Sequence, residues 1–206
     1  MNIPSLSELS QGCQEFQRRE KRDAMYKTAS FLVAYFWRKP AEMADSLGVL
    51  LLTWNQAWYR YGSFDFDRLE KCIADNLQLL DQYRERSILT YSSSDDNNIK
   101  YLFQEFLNAI AISEGNKKAG SRSPVATAKA LHLLAPNYFP LWDRKIAREY
   151  NCLYDDNPSA KYLAFLQISS KIAATFQPAI STQSTAKTLL KLIDEYNYAK
   201  YTKGWI

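Results

Sequence analysis

Asp143 sits alone among cations. Between Lys117 and Arg148 the chain carries seven Lys or Arg and one acid, a net of +6, whereas the whole chain is only +4. The positive charge is therefore local, and everything outside that window sums to −2. A local basic band attracts a phosphate backbone, and a carboxylate set within it is a candidate for chemistry beside that backbone. Lys129 lies on the helix before Asp143. Lys117, Lys118 and Lys145 are the other lysines of the window.

Helical projection at 100° per residue separates these groups. Asp143 falls beside Ile146, Ala147 and Tyr150, whereas Arg144, Lys145 and Arg148 cluster on the other side of the same helix. Phosphate binding and chemistry are thus separable on one short element. Asp143 also stands where an N-cap belongs, which fixes its direction and keeps it ionised through the helix dipole. On the preceding helix, Lys129 and His132 share a narrow polar side.

Aromatic residues surround the basic window. Tyr138, Phe139 and Trp142 lie in the loop between the two helices. The segment 53–62, TWNQAWYRYG, is unusually aromatic, with Trp54, Trp58, Tyr59 and Tyr61 as candidate stacking rings and Asn55 and Gln56 between them. Leu50, Leu51, Trp54 and Trp58 also have the helical spacing of core residues.

The elements that must position these residues read as all-α. Capping residues, Gly and Pro punctuate recurrent helical periodicity, and strand signals are nearly absent. A first helix opens at Ser5 and ends near Gly12 or continues through 18–22. The others cover about 22–37, 40–61 (stopped by Gly62), 65–85 (capped by Asp65 or Asp67), 97–113 and 124–135. A seventh begins at Asp143, an eighth runs from 157 to 176 and a ninth from 184 to 201. Gly120-Ser121-Arg122-Ser123 falls in the turn 115–123 before the sixth helix.

Composition excludes several classes. One histidine and three widely spaced cysteines, Cys13, Cys72 and Cys152, build neither a zinc nor an iron–sulfur site and suit a reducing compartment. The longest apolar runs are far shorter than the roughly 20 residues a membrane span needs. The first residues do not read as a secretory leader. The expectation is a soluble, cytoplasmic monomer without cofactor or metal.

The stretch Trp142-Asp143-Arg144-Lys145-Ile146-Ala147-Arg148 resembles the hydrophobic-Asp-x-x-hydrophobic-x-Arg signature of the helix-hairpin-helix DNA glycosylase superfamily. Gly120-Ser121-Arg122-Ser123-Pro124-Val125 lies where that family's phosphate-binding hairpin turn falls, and Lys129 is the nearest match to its catalytic lysine. Lys129 precedes Asp143 by 14 residues, a shorter gap than the family uses. The nearest groups are the divergent branch containing archaeal oxoguanine glycosylases and bacterial anti-phage glycosylases acting on hypermodified cytosine.

The resemblance implies a single two-lobed helical unit over 1–206 with a cleft. Residues 23–135 form one lobe with the hairpin; residues 1–22 plus 136–206 form the other. It implies double-stranded DNA with a modified base as partner, Asp143 as the essential carboxylate and Lys129 as an optional nucleophile facing it. Gly120, Ser121, Arg122, Ser123, Arg144, Lys145 and Arg148 would bind phosphate. Trp54, Asn55, Trp58, Tyr138, Phe139, Trp142 and His132 would form the base pocket or stack. Base excision would serve DNA repair or anti-phage defence. The alternatives are a non-catalytic helical DNA-binding module and an all-α protein-interaction protein.

Overall fold

Local capping explains where most helices begin. In the computed structural model, which describes residues 3–21, 23–180 and 187–206, Ser5 and Glu8 close a capping box: Glu8 N–H donates to Ser5 Oγ and Ser5 N–H to Glu8 Oε2. This starts α1 (Leu6–Arg19). Then come α2 (Asp23–Tyr35), α3 (Pro40–Trp54) and α4 (Gln56–Tyr59), followed by β1 (Gly62–Phe64) and α5 (Phe66–Arg84). The chain continues through α6 (Asp96–Ala109), β2 (Ile112–Gly115), α7 (Pro124–Leu134) and α8 (Arg144–Glu149). It ends with α9 (Pro158–Ile180) and α10 (Leu189–Asn197), which runs into a wider turn, Tyr198–Thr202. Helices dominate and the described strands are two short ones, so the fold is all-α. No helix among the described residues is long and apolar enough to cross a membrane.

Several boundaries differ from the sequence expectation. The third helix breaks at Asn55 rather than running to Tyr61. The first passes Gly12 and ends at Arg19, and the eighth runs past Phe176 to Ile180, with Pro178 inside it. Arg22, and Ser184 at the expected start of the ninth, lie outside the described residues. The antiparallel pair was not foreseen: Gly62 pairs with Gly115, Ser63 with Glu114 and Phe64 with Ile112. Strands of three and four residues are too short to display alternation. Gly115 has φ +98°, and a Cβ there would lie 2.5 Å from the Tyr61 carbonyl oxygen, so the turn requires glycine. Because β2 leaves the α6–α7 connection to pair with β1, that connection is longer than a tight hairpin turn.

The core forms where α7 is enclosed. Ala126, Ala128, Ala130, Leu131, Leu133 and Leu134 are all buried, and α6, α3 and α2 pack around the helix. A helix covered on nearly every side leaves few directions for a polar side chain, and Lys129 takes one of them. The C-terminal α10 is held by α1. Gly12 makes that approach possible, since a Cβ there would sit 2.8 Å from Tyr196 Cα and 2.9 Å from its ring.

Gly12→Ala is therefore expected to destabilise the protein by about 1–3 kcal/mol, the usual cost of overpacking. A urea midpoint that falls, with unchanged slope, checks this. An unchanged or higher midpoint contradicts the packing of α1 on α10.

Candidate active site

Asp143 is held from three directions. Its Oδ1 accepts the backbone N–H groups of Lys145 at 2.8 Å and Ile146 at 2.9 Å, and Oδ2 accepts the Thr202 hydroxyl. It is the N-cap of α8, whose buried Ile146 and Ala147 anchor this six-residue helix in the core. Arg144, Lys145 and Arg148 are exposed on the same helix.

Lys129 reaches the same place from α7. Its Nζ lies 3.4 Å from Asn55 Oδ1, 3.5 Å from the Trp54 carbonyl oxygen and 4.5 Å from the Trp54 ring centre. A cavity of about 120 Å³ is lined by Trp54, Lys129, Leu141, Trp142, Asp143, Ile146, Asp194 and Tyr198. The structure thus brings Trp54, Lys129, Trp142 and Asp143 together. Trp142 is 2% exposed, and its indole N–H donates to the Pro124 carbonyl.

A larger groove of about 670 Å³ lies alongside, its wall including Asn55, Trp58, Arg122, Ser123, Arg144 and Tyr154. Asn55 joins the two spaces: its Oδ1 accepts from Lys129 and its Nδ2 donates to Ser123 Oγ at 3.4 Å. Lys117 stacks over the Trp58 ring at 3.3 Å and donates to the Trp58 carbonyl. Burial lowers its pKa from the ordinary value. It lines neither space.

Three aromatic or imidazole candidates sit elsewhere. Tyr138, Phe139 and His132 have 0% exposure and line neither space. The physical reason is core packing with polar partners. Tyr138 donates to Asp95 Oδ2, and the rings of Tyr138 and Phe139 both pack tilted against Tyr83. His132 Nδ1 lies 2.7 Å from the Phe139 carbonyl oxygen, which can only accept, so Nδ1 carries the proton. Nε2 then accepts the Tyr26 hydroxyl at 2.9 Å. Burial pushes the His132 pKa down from 6.5 to about 4.

Two N–H groups of the expected backbone phosphate cradle are also taken up within the protein. Gly120 N–H donates to the Ile112 carbonyl and Ser121 N–H to Lys118. Ser123 caps α7, its Oγ accepting Ala126 N–H. These bonds stabilise the turn, and the side chains of Arg122, Arg144, Lys145 and Arg148 are exposed. Arg144 forms a two-bonded pair with Asp155, at 2.7 and 3.0 Å. Lys145 Nζ donates to the Thr202 carbonyl.

Sequence reasoning missed Asp194, Tyr198 and Thr202. The spacing of Lys191, Asp194 and Glu195 was the available signal, because residues three and four apart share a helix side.

The neutral state of His132 gives a pH dependence with a definite sign. A depressed folded pKa stabilises fully above the unfolded value and less as pH falls toward the folded one. From pH 7 to pH 5 the loss is about 2 kcal/mol. Urea midpoints are expected to fall over this range and to fall less in His132→Gln. Equal falls in both proteins contradict a buried neutral imidazole. Comparison with protein-family models, with curated proteins and with solved structures finds no match to this chain.

Proposed function

We propose that this chain is a DNA glycosylase that flips a modified nucleotide out of duplex DNA and breaks its N-glycosidic bond. The observation that carries the reading is Asp143, aimed by three donors into a cavity it shares with Lys129, on a short helix whose cations face outward.

A base within a duplex is unreachable, and extruding it costs a few kcal/mol. Cleavage passes through an oxocarbenium-like sugar. An ionised carboxylate at C1′ stabilises that charge and activates water, and this is the role of Asp143. Attack by water leaves an abasic site. Attack by the Lys129 amine gives a Schiff base that leads on to strand cleavage. Trp54 and Trp142 form the wall against which the base stacks, and Asn55 joins that wall to the groove. Arg122, Arg144, Lys145 and Arg148 supply salt-dependent affinity for the strand. The substrate is DNA bearing an oxidised, alkylated, deaminated or hypermodified base, in base-excision repair or in defence against phage DNA.

One observation favours a second reading. The cavity, about 120 Å³, is smaller than the roughly 300–1,000 Å³ of pockets that enclose small ligands. A rigid cavity of that size suits a helical DNA-binding module without catalysis; excision requires the wall to open around the nucleotide.

Asp143→Asn distinguishes the two, because an amide oxygen still accepts the capping N–H groups. Single-turnover base release is expected to fall at least about 100-fold, with duplex affinity within about twofold and an unchanged melting temperature. Full activity in this variant overturns the mechanism. Arg122→Ala is expected to weaken binding across all sequences and to reduce the slope of log affinity against log salt by about one. An affinity that does not respond to salt argues against phosphate contact.

A further inference from the structure

The small cavity holds a second carboxylate. Asp194 is 7% exposed and reaches the cavity from α10, whereas Asp143 comes from α8 and Lys129 from α7. Its Oδ2 accepts from Lys191 Nζ at 3.2 Å. Lys191 is 1% exposed and also lies 3.5 Å from Asp23 and 3.6 Å from Glu195. One buried ammonium is thus shared among three acids. Glu195 has a second cation, Lys187, at 2.6 Å, and Asp23 has Lys27 at 3.3 Å. Of the three acids, Asp194 is the one on the cavity wall.

Two carboxylates in so small a space do not both ionise readily. Asp143 accepts from three donors, whereas Asp194 Oδ2 accepts from an ammonium shared with two other acids. The groups facing Asp194 are Lys191 and Glu195 from its own helix, Asp143 from α8, Lys129 from α7, and Asp23 and Tyr26 from α2, across Lys191. Burial pushes its carboxyl above the ordinary range; Lys191 and Lys129 oppose this and Asp143 adds to it. Of the two, Asp194 is therefore the acid whose surroundings favour the protonated form.

Resting on the glycosylase reading, we propose that Asp194 is the acid that protonates the departing base while Asp143 serves the sugar. The C1′–N bond breaks and its electron pair goes to the base. The Asp194 carboxyl proton passes to a base nitrogen or oxygen, leaving a carboxylate against Lys191. Water adds to C1′ and gives its proton to Asp143, which releases it to solvent as solvent reprotonates Asp194. The sum is hydrolysis: nucleotide and water become an abasic site and a neutral base. A site with a built-in acid suits neutral modified bases, which need a proton to leave.

The test uses the full chain and duplexes carrying 8-oxoguanine, an alkylated adenine, uracil, hydroxymethylcytosine or glucosylated hydroxymethylcytosine, with single-turnover release followed from pH 5 to 9. The wild-type rate is expected to fall with rising pH. Asp194→Asn is expected to lose at least about 100-fold and the falling limb, at unchanged duplex affinity. Asp194→Glu, which keeps an acid, is expected to recover part of both. Release by wild type with Asp194→Asn within threefold of it overturns this role and leaves the glycosylase reading intact. If Asp194→Asn does not fold, a wild-type rate that stays flat across the range overturns the role. No release by wild type from any of these duplexes overturns the role together with the glycosylase reading.

Discussion

A single buried ammonium holds this site together. Lys191 lies inside the protein with Asp194 at 3.2 Å, Asp23 at 3.5 Å and Glu195 at 3.6 Å. Rings of Phe16, Tyr26 and Trp54 surround it at 4.3, 4.8 and 5.8 Å. These contacts tie α10 to α1, α2 and α3 through one atom. Burial opposes its charge, and the acids it is shared among outweigh burial and raise its pKa. A buried charge costs several kcal/mol unless paired, and losing one partner leaves the others uncompensated. The arrangement is therefore closely determined: Trp54 and Asp194 cannot leave the cavity wall without exposing or orphaning that charge.

The opposite wall depends on hydrogen-bond capping rather than charge burial. α8 is too short to stabilise itself, yet Asp143 satisfies two of its first N–H groups and reaches Thr202 near the chain's end. The same bonds that end one element and begin another aim the carboxylate. Between the walls, α7 is packed on nearly all sides and offers Lys129 a single way out. Three separately constrained elements thus place Asp143, Asp194 and Lys129 around one cavity, and α8 presents exposed cations beside it.

The local part of this site is legible in the sequence. Asp143 before an amphipathic turn, with Arg144, Lys145 and Arg148 on the other side, follows from helical projection alone, as do the all-helical character and most helix starts. Partners distant in the chain are not legible. His132 and Tyr138 read as surface or pocket groups because their satisfying partners, Tyr26 and Asp95, lie 106 and 43 residues away. The strand pair was invisible for the same reason, since Gly62 and Gly115 meet only once the helices pack. The spacing around Lys191 shows that Asp194 shares its side, but nothing local shows that this side meets Asp143.

The central claim is that this cavity releases a base from DNA. Its most direct measurement is mass-spectrometric detection of free base, alongside chemical quantification of abasic sites, after incubation with oxidised, alkylated or deaminated duplexes and with phage DNA containing modified cytosine. One substrate is expected to yield free base and abasic sites (or their cleaved ends) in equal amounts. Duplex binding without release from any of them contradicts it.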